Sequence, residues 1–275
     1  MALVPTAELV EAGPVCAFNV ITLEHAEAIV AGAAQAKRPV ILQISENAVR
    51  FHGGRLAPLA AAARTVATES DVDTALHLDH VVTQELWEAA PEHGFGSFMV
   101  DASRLSYADN VAATRAAADF GHAHGLWVEA ELGTIGGKAG DPHAPGARTD
   151  PAEAASYVER TGVDGLAVAV GSRHAMTSRE AALDHDLIAA LRAAVPVPLV
   201  LHGSSGVGDD ELRRAVRGGI RKVNVGTALN IAYTGAVRAG AGAHTDPRKY
   251  LAPARDAMAE AVAAYLTVVR QAAAL

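Results

Sequence analysis

Eight short apolar runs, separated by Ala-rich segments with helical periodicity, are the feature that most limits the fold of this chain. Each run is partly β-branched and is bounded by Gly, Pro or polar residues, which is typical of buried strands. The segments between them predict helices at residues 22–36, 57–67, 84–93, 107–124, 151–161, 185–195 and 209–217. The runs occupy residues 15–20, 39–45, 75–80, 97–103, 126–132, 165–171, 198–204 and 221–226.

Strands that alternate with helices predict a parallel sheet with right-handed crossovers. The count of eight favours an α/β fold of the closed (β/α)8 TIM barrel type over an open doubly wound sheet. A last predicted helix, from residue 252 to near the end, adds a C-terminal helical extension. Because no linker or low-complexity tract divides the chain, we expect a single domain over residues 1–275.

Composition limits the classes of function. The formal charge of -8 and the lack of a Lys/Arg run argue against nucleic acid as a partner. Cys16 is the only cysteine, which excludes an intrachain disulfide and a Cys-based zinc site and favours a cytoplasmic location. The N-terminal stretch carries Glu8 and Glu11 without a basic region, and no uncharged apolar stretch reaches membrane-spanning length. We therefore expect no signal peptide and no membrane partner, and any metal must use His, Asp or Glu.

In a barrel of this type, ligand sites form at the carboxyl ends of the strands. Every predicted strand contributes a polar group at that end, which is hard to obtain from chance chain exits. This convergence predicts an enzyme-like site at one mouth of the barrel. The residues are Asn19, Ser45, Asp79, His80, Asp101, Ser103, Glu129, Glu131, His174, His202 and Asn224.

Three histidines, His80, His174 and His202, follow strands three, six and seven. Three neutral imidazoles with an open fourth position form a catalytic zinc arrangement. His77 shares a strand face with Asp79, so we expect it to pack or to orient neighbours rather than to bind metal. Since Asp79 and His80 are successive strand residues and would point to opposite faces, the strand must bend or end between them for both to reach one substrate.

Two Gly- and Ser-containing turns follow the last two strands, HGSSGVG at 202–208 and NVGT at 224–227. Their backbone N–H groups and hydroxyls suit an anion, and phosphate binding after strands seven and eight is common in this fold. The long irregular stretch at 133–150 holds five Gly and two Pro, and we interpret it as a mobile active-site loop.

The motifs AFNVITLEHAEAIV, HLDH, VDAS, AHGLWVEAELGTIGG, PLVLHGSSGV, KVNVGT and DPRKYLAPARDAM together resemble class II, metal-dependent ketose-bisphosphate aldolases, the fructose- and tagatose-bisphosphate enzymes. The similarity runs in order from about residue 7 to 265. It implies a TIM barrel, a catalytic Zn²⁺, a small-molecule sugar phosphate as substrate, and a homodimer or homotetramer. The implied reaction is reversible aldol cleavage through a metal-stabilised enediolate to dihydroxyacetone phosphate and an aldehyde, by default glyceraldehyde 3-phosphate.

Carried over by position, the resemblance implies that His80, His174 and His202 bind zinc and that Asp79 donates a proton to the aldehyde oxygen. An acid working at neutral pH needs its pKa raised by burial or by neighbouring carboxylates. The acidic positions that hold a second or alternative metal in relatives are Asp101 and Glu131. Asn19 and Ser45 correspond to substrate-side polar positions. The residues that resemble phosphate contacts, with a monovalent cation (Na⁺ or K⁺) beside them, are Gly171, Gly203, Ser204, Ser205, Asn224, Val225, Gly226 and Thr227.

Three departures from the family pattern concern substrate handling. The loop motif GG-x-E-D is GGKAGD here, so Asp141 is the nearest replacement for the loop base. The Gly that usually follows the strand-six histidine is Ala175, and an Asp usual after strand eight is Ala228. These leave open a modified or unphosphorylated aldehyde, a non-catalytic sugar-phosphate-binding protein, and a zinc hydrolase or isomerase on the same barrel.

Overall fold

The structure is a computed structural model that describes residues 3–132 and 148–273. Its centre is a closed barrel in which each strand pairs in parallel with the next and the eighth pairs with the first. The predicted (β/α)8 barrel and all eight strand positions are therefore confirmed. The strands are β1 Val15–Asn19, β2 Val40–Ser45, β3 Thr74–Val81, β4 Ser97–Val100, β5 Trp127–Leu132, β6 Gly165–Val168, β7 Leu199–Leu201 and β8 Ile220–Val225.

Alternation along each strand separates two apolar clusters. Inward residues such as Ala17, Ile41 and Met99 pack in the barrel interior. Their outward neighbours, for example Phe18 and Leu42, pack against the surrounding helices. Because both faces are buried, the strands read as near-continuous apolar runs, and a polar residue at an inward position must be satisfied inside the barrel.

The helices surround the barrel, and the C-terminal helical extension is present. Asp150 caps its helix as its position before Pro151 suggests, accepting the backbone N–H groups of Ala152 and Glu153. The helices are α1 Thr6–Ala12, α2 Leu23–Ala36, α3 Glu46–Phe51, α4 Leu56–Thr68, α5 Gln84–Glu88, α6 Tyr107–Ala123, α7 Pro151–Thr161, α8 His185–Ala194, α9 Asp209–Gly218, α10 Thr227–Gly240 and α11 Arg248–Ala273.

The predicted helix boundaries fail at α5, and three helices were not predicted. α5 ends at Glu88 rather than at residue 93, because Pro91 cannot donate its backbone N–H and disfavours helical geometry in the residue before it. α1 and α3 are too short to show a helical period. α10 does have apolar residues at helical spacing, Leu229, Ala232 and Tyr233, which contact the core, although only Leu229 is fully buried.

α1 closes the N-terminal end of the barrel. Its residues Leu9 and Val10 pack into the interior cluster with Val15 and Trp127. With that end filled by side chains, the carboxyl ends of the strands are left as the mouth. Among the described residues, no helix combines the length and apolar character needed to cross a bilayer.

Candidate active site

A cavity of about 420 Å³ lies at the mouth of the barrel. Most of the residues predicted to form the site line it: Asn19, Ser45, Asp79, His80, His174, His202, Gly203, Ser205, Asn224, Gly226 and Thr227. The predicted residues that do not line it are Asp101, Ser103, Glu129, Glu131, Gly171, Ser204 and Val225. Asp141, the predicted loop base, and most of the predicted mobile loop at 133–150 lie outside the described residues.

A β-bulge brings Asp79 and His80 to the same cavity. Between Leu78 and Val81 the strand advances three residues while its partner β4 advances only two, from Phe98 to Val100. His80 takes up the extra residue with a left-handed φ of 49°, a conformation that costs a non-Gly residue of order 1–3 kcal/mol and clusters at functional sites. Without the bulge, alternation would direct His80 away from the barrel interior.

Glu46 holds the chain where β3 leaves the bulge. One of its carboxylate oxygens accepts the backbone N–H groups of Val82 at 2.6 Å and Thr83 at 3.1 Å, and the other accepts the Thr83 hydroxyl at 2.9 Å. Burial raises the pKa of Glu46, but these hydrogen bonds and Arg50 outweigh burial and hold the pKa below its ordinary value. A charged, fully bonded Glu46 thus fixes the exit that the strained His80 requires.

The three predicted histidines and one carboxylate converge at the mouth. Ligand atoms of His80, Glu131, His174 and His202 all lie within 4.8 Å of one another. The His80 and His202 rings stand nearly perpendicular with centroids 4.7 Å apart, and Nδ1 of His202 is 3.0 Å from Nε2 of His80. Imidazole nitrogens and a carboxylate oxygen are donors that suit Zn²⁺, so the group fits a metal ion chemically.

Asp101 lies behind His80 rather than within this group. Its Oδ2 is 2.9 Å from Nδ1 of His80, the ring nitrogen remote from His202. This geometry favours a hydrogen bond that orients the imidazole, as carboxylates do for metal-binding histidines, over the metal position assigned to Asp101 by resemblance.

Asp79 is buried at the mouth and is approached by a chain of two amides. Nδ2 of Asn19 is 3.4 Å from Oδ2 of Asp79, and Oδ1 of Asn19 accepts from Nε2 of Gln43 at 2.9 Å. Burial raises the pKa of Asp79, but the surrounding histidines, His80 first, outweigh it and hold the pKa below its ordinary value. The expectation of a raised pKa is therefore wrong, and Asp79 is a carboxylate at neutral pH.

The two turns after β7 and β8 meet at one side of the cavity. Ser204–Gly206 forms a short 3₁₀ turn, and Oγ of Ser205 accepts the backbone N–H of Ala228 in the first turn of α10 at 3.0 Å. Gly203 has φ of 67°, and a Cβ there would lie 2.5 Å from the Arg173 carbonyl oxygen. Glycine is thus required for the close approach, and a helix start beside these hydroxyls favours an anion.

Ala175, which follows His174, sits where the family pattern has glycine. Its φ of 57° is left-handed, a conformation that costs an L-residue with a Cβ roughly 1–2 kcal/mol. Ala175→Gly should therefore raise the free energy of unfolding by about 0.5–1 kcal/mol, after subtracting the entropy glycine adds to the unfolded chain. Denaturant titration checks this. The control is Ala116→Gly, in the middle of α6, which should lower the free energy of unfolding. If both substitutions changed the free energy of unfolding in the same direction, backbone strain at Ala175 would be contradicted.

His77 lies fully buried in the barrel interior below Asp79. Its Nδ1 is 2.8 Å from the Ser97 hydroxyl, which in turn contacts the Thr6 hydroxyl of α1 at 2.6 Å. Burial, with help from nearby Lys222, lowers the pKa of His77 to about 3. His77 is therefore neutral in the folded protein, in agreement with its expected packing role.

This buried histidine predicts a pH dependence of stability. Its pKa is lower in the folded chain than the ordinary value of 6.5, so between these values the unfolded chain binds a proton that the folded chain does not. The free energy of unfolding should fall as the pH drops, with the His77 share about 2 kcal/mol between pH 7 and pH 5. Comparing urea titrations of wild type and His77→Asn at both values isolates this share. An equal pH dependence in the two proteins would refute it.

Several residues at or below the mouth were not predicted. Gln43 and Lys222 are buried polar residues inside the barrel, and Glu46 supports the bulge. Glu129 was predicted only as one of the polar residues at the strand ends, without a role of its own. A signal was present for Lys222, because it stands two residues before Asn224 and therefore on the same strand face. The cavity-lining residues outside the prediction are Ile21, Gln43, Asn47, Ala48, Phe51, Ala175 and Asn230.

Fold and site together define an eight-stranded barrel enzyme with a candidate metal group at its mouth. The family model for class II fructose-bisphosphate aldolases matches residues 9–273 of this chain. The chain therefore belongs to the class II fructose-bisphosphate aldolase family and is an aldolase, a carbon–carbon lyase. Family membership implies a sugar-phosphate substrate.

Individual relatives agree with this assignment. The probable fructose-bisphosphate aldolase of Bacillus subtilis (strain 168) is 40% identical over 251 residues, covering 89% of this chain and 88% of the relative. The fructose-bisphosphate aldolase of Geobacillus stearothermophilus is 39% identical over 247 residues, covering 88% of this chain and 86% of the relative. The crystal structure of the YdjI aldolase from Escherichia coli K12 superposes with a TM-score of 0.83 at 32% identity, covering 95% of this chain and 93% of that one.

Proposed function

We propose that this chain catalyses zinc-dependent, reversible cleavage of a ketose phosphate or bisphosphate to dihydroxyacetone phosphate and an aldehyde. Glyceraldehyde 3-phosphate is the default aldehyde. The observation that carries the proposal is the convergence of His80, His174 and His202 with Glu131 within 4.8 Å, beside the buried carboxylate of Asp79. We assign the three imidazoles as ligands and Glu131 as an alternative metal position, which would leave a coordination site open.

A zinc ion held there would act as a Lewis acid on the ketone and stabilise the enediolate charge that develops when the carbon–carbon bond breaks. In the cleavage direction Asp79 accepts the proton of the substrate hydroxyl as that oxygen becomes the aldehyde carbonyl. Its lowered pKa supports this direction, because the carboxylate is already ionised. In the synthesis direction the same group, once protonated, returns the proton to the aldehyde oxygen.

The turns after β7 and β8 are the proposed phosphate site. Gly203, Ser205, Gly226 and Thr227 line the same cavity as Asp79, which supports one ligand spanning both regions. Anchoring the phosphate places the ketone against the histidine group and converts binding energy into orientation. Asn19 and Ser45 line the same cavity and are the proposed hydroxyl-binding residues.

Retro-aldol assays on a panel of ketose phosphates, run with zinc-loaded and chelator-treated protein, test the proposal. We expect cleavage of at least one ketose 1-phosphate or bisphosphate that is lost on zinc removal and restored by zinc. Phosphate binding without zinc-dependent cleavage would instead favour a sugar-phosphate-binding role. A homodimer or homotetramer in the cytoplasm stays a prediction, and light scattering checks the assembly.

A further inference from the structure

A buried ion pair crosses the barrel interior beneath the histidine group. Nζ of Lys222 on β8 is 2.7 Å from Oε2 of Glu129 on β5, and both side chains are fully buried. β5 pairs with β4 and β6, whereas β8 pairs with β7 and β1, so the contact is made through the interior rather than between neighbouring strands. A buried pair of this type is weak evidence for stability but can specify a geometry.

The other oxygen of Glu129 determines where His202 carries its proton. Oε1 lies 2.8 Å from Nε2 of His202. The Lys222 ammonium, 2.7 Å from Oε2 in the same buried interior, pairs with Glu129 as a carboxylate. An ionised carboxylate only accepts hydrogen bonds, so Nε2 must carry the hydrogen and Nδ1 must carry the lone pair.

Asn224 is compatible with this tautomer after one rotation of its amide. Its Nδ2 is placed 3.0 Å from Nε2 of His202, a contact that alone would favour an unprotonated Nε2. Of these two contacts of Nε2, the one with the Glu129 carboxylate fixes the tautomer, because a carboxylate cannot donate a hydrogen bond. The Asn224 amide can instead rotate by 180° and present its oxygen. Oδ1 of Asn224 is buried and has no hydrogen-bond partner among the described residues. The amide rotation brings this oxygen to face the Nε2 hydrogen of His202.

His80 shows the opposite arrangement. Oδ2 of Asp101 is 2.9 Å from Nδ1 of His80, which directs the hydrogen to Nδ1 and leaves the lone pair on Nε2. Nδ1 of His202 and Nε2 of His80 then face each other at 3.0 Å. Two facing lone pairs repel unless a cation lies between them, and zinc–nitrogen distances of about 2.0–2.1 Å suit that separation.

We propose that the Lys222–Glu129 pair is a positioning device that holds His202 as the Nε2-protonated tautomer and thereby directs Nδ1 to the metal. The proposal rests on the proposed function only in taking the histidine group as the metal site. Lys222 sets the direction of the Glu129 side chain and keeps it charged, and Glu129 acts on the metal only through His202.

Glu129→Gln should reverse the tautomer. An ammonium group has no acceptor, so Lys222 takes the amide oxygen and the amide NH₂ faces His202. Nε2 must then accept, which moves the proton to Nδ1 and into the metal site. Changes in groups that orient metal-binding histidines typically cost 10- to 100-fold in metal affinity, and we expect a loss of about that size for zinc.

The double variant Glu129→Gln with Lys222→Met is the decisive comparison. Without the ammonium, the amide introduced at position 129 can rotate so that its oxygen accepts from Nε2, and the zinc affinity should recover by about 10-fold or more relative to the single variant. His77→Asn is the matched control, since Nε2 of His77 lies beside Glu129 at 4.0 Å without touching His202. We expect its zinc affinity to equal that of wild type.

Two measurements test the proposal. Chelator competition gives the zinc affinities. Long-range ¹H–¹⁵N spectra of metal-free, ¹⁵N-histidine-labelled wild type give the tautomer of His202, assigned by its loss in His202→Asn. A proton on Nδ1 in wild type, an unchanged zinc affinity in Glu129→Gln, or no recovery in the double variant would each overturn it. The wild-type spectrum decides even if a variant fails to fold, or if wild type binds no zinc and the proposed function fails.

Discussion

Replacing Asp79 by asparagine is expected to lower kcat for retro-aldol cleavage by roughly 10²- to 10⁴-fold, equivalent to ~3 to 5 kcal/mol of barrier. Asparagine keeps the shape of the side chain and its approach to Asn19, which lies 3.4 Å away, but cannot accept the hydroxyl proton. Zinc content and dihydroxyacetone phosphate binding should stay within about threefold of wild type, because Asp79 contributes no atom to the histidine–carboxylate group.

The role of Asp79 can be separated from that of the rest of the site. If Asp79 serves only the aldehyde oxygen, Asp79→Asn should still exchange the carbon-bound proton of dihydroxyacetone phosphate with solvent when no aldehyde is present. Asp119→Asn, on the exposed face of α6, is the control and should cleave substrate normally. Unchanged cleavage by Asp79→Asn would reassign the proton acceptor, and loss of exchange as well would make Asp79 part of the first step.

Replacing His174 by alanine is expected to abolish cleavage through loss of the metal. Removing one of three imidazole ligands should weaken zinc binding by more than the ~100-fold typical of changes in groups that only orient a ligand. A ligand present at 100 times its Kd raises the free energy of unfolding by about 2.7 kcal/mol, so added zinc should raise the Tm of wild type. The Tm of His174→Ala should not respond at the same zinc concentration.

His124→Ala is the control for this substitution. His124 is exposed at the end of α6, where its ring bonds the Phe120 carbonyl, and it lies outside the histidine group. Its zinc content, Tm shift and cleavage should match wild type. Full zinc content and activity in His174→Ala would remove this residue from the metal site and leave the proposed ligand set without support.

The fold could be predicted because each barrel strand is buried on both faces. Burial on two sides produces short apolar runs such as residues 39–45 and 198–204. These runs predict the strands even when it is not known which strands pair with each other. Helix α10 could not be found in this way. It begins at Thr227, inside the turn that was assigned to phosphate, and only Leu229 of its residues is fully buried, although Leu229, Ala232 and Tyr233 have helical spacing.

Much of the site could be located from the polar residues at strand ends, since parallel strands bring those ends to one rim. The joint use of Asp79 and His80 depended on the β-bulge, which no local pattern in HLDH indicates. The ionisation of Asp79 also needed the structure. Burial raises its pKa, whereas the neighbouring histidines and Lys222 lower it, and only their relative distances decide the outcome.

Contacts through the interior were beyond the reach of the sequence. Glu129 and Lys222 are 93 positions apart and lie on strands that do not pair, so neither spacing nor register joins them. The orienting position of Asp101 behind His80 likewise follows from side-chain direction rather than from position in the chain. The pattern of polar residues at strand ends predicts which residues reach the mouth. Which polar atoms face each other is determined only when the barrel closes.

Solvent exchange of the carbon-bound proton of dihydroxyacetone phosphate, followed by ¹H NMR in D₂O without any aldehyde, tests the central claim most directly. The claim is that the group of His80, His174, His202 and Glu131 is the metal site that activates a ketone phosphate. The account predicts exchange with zinc-loaded wild type, none with chelator-treated protein or with His174→Ala, and recovery when zinc is returned to wild type. Exchange that persists at full rate without zinc, or no exchange by the zinc-loaded protein, would contradict it.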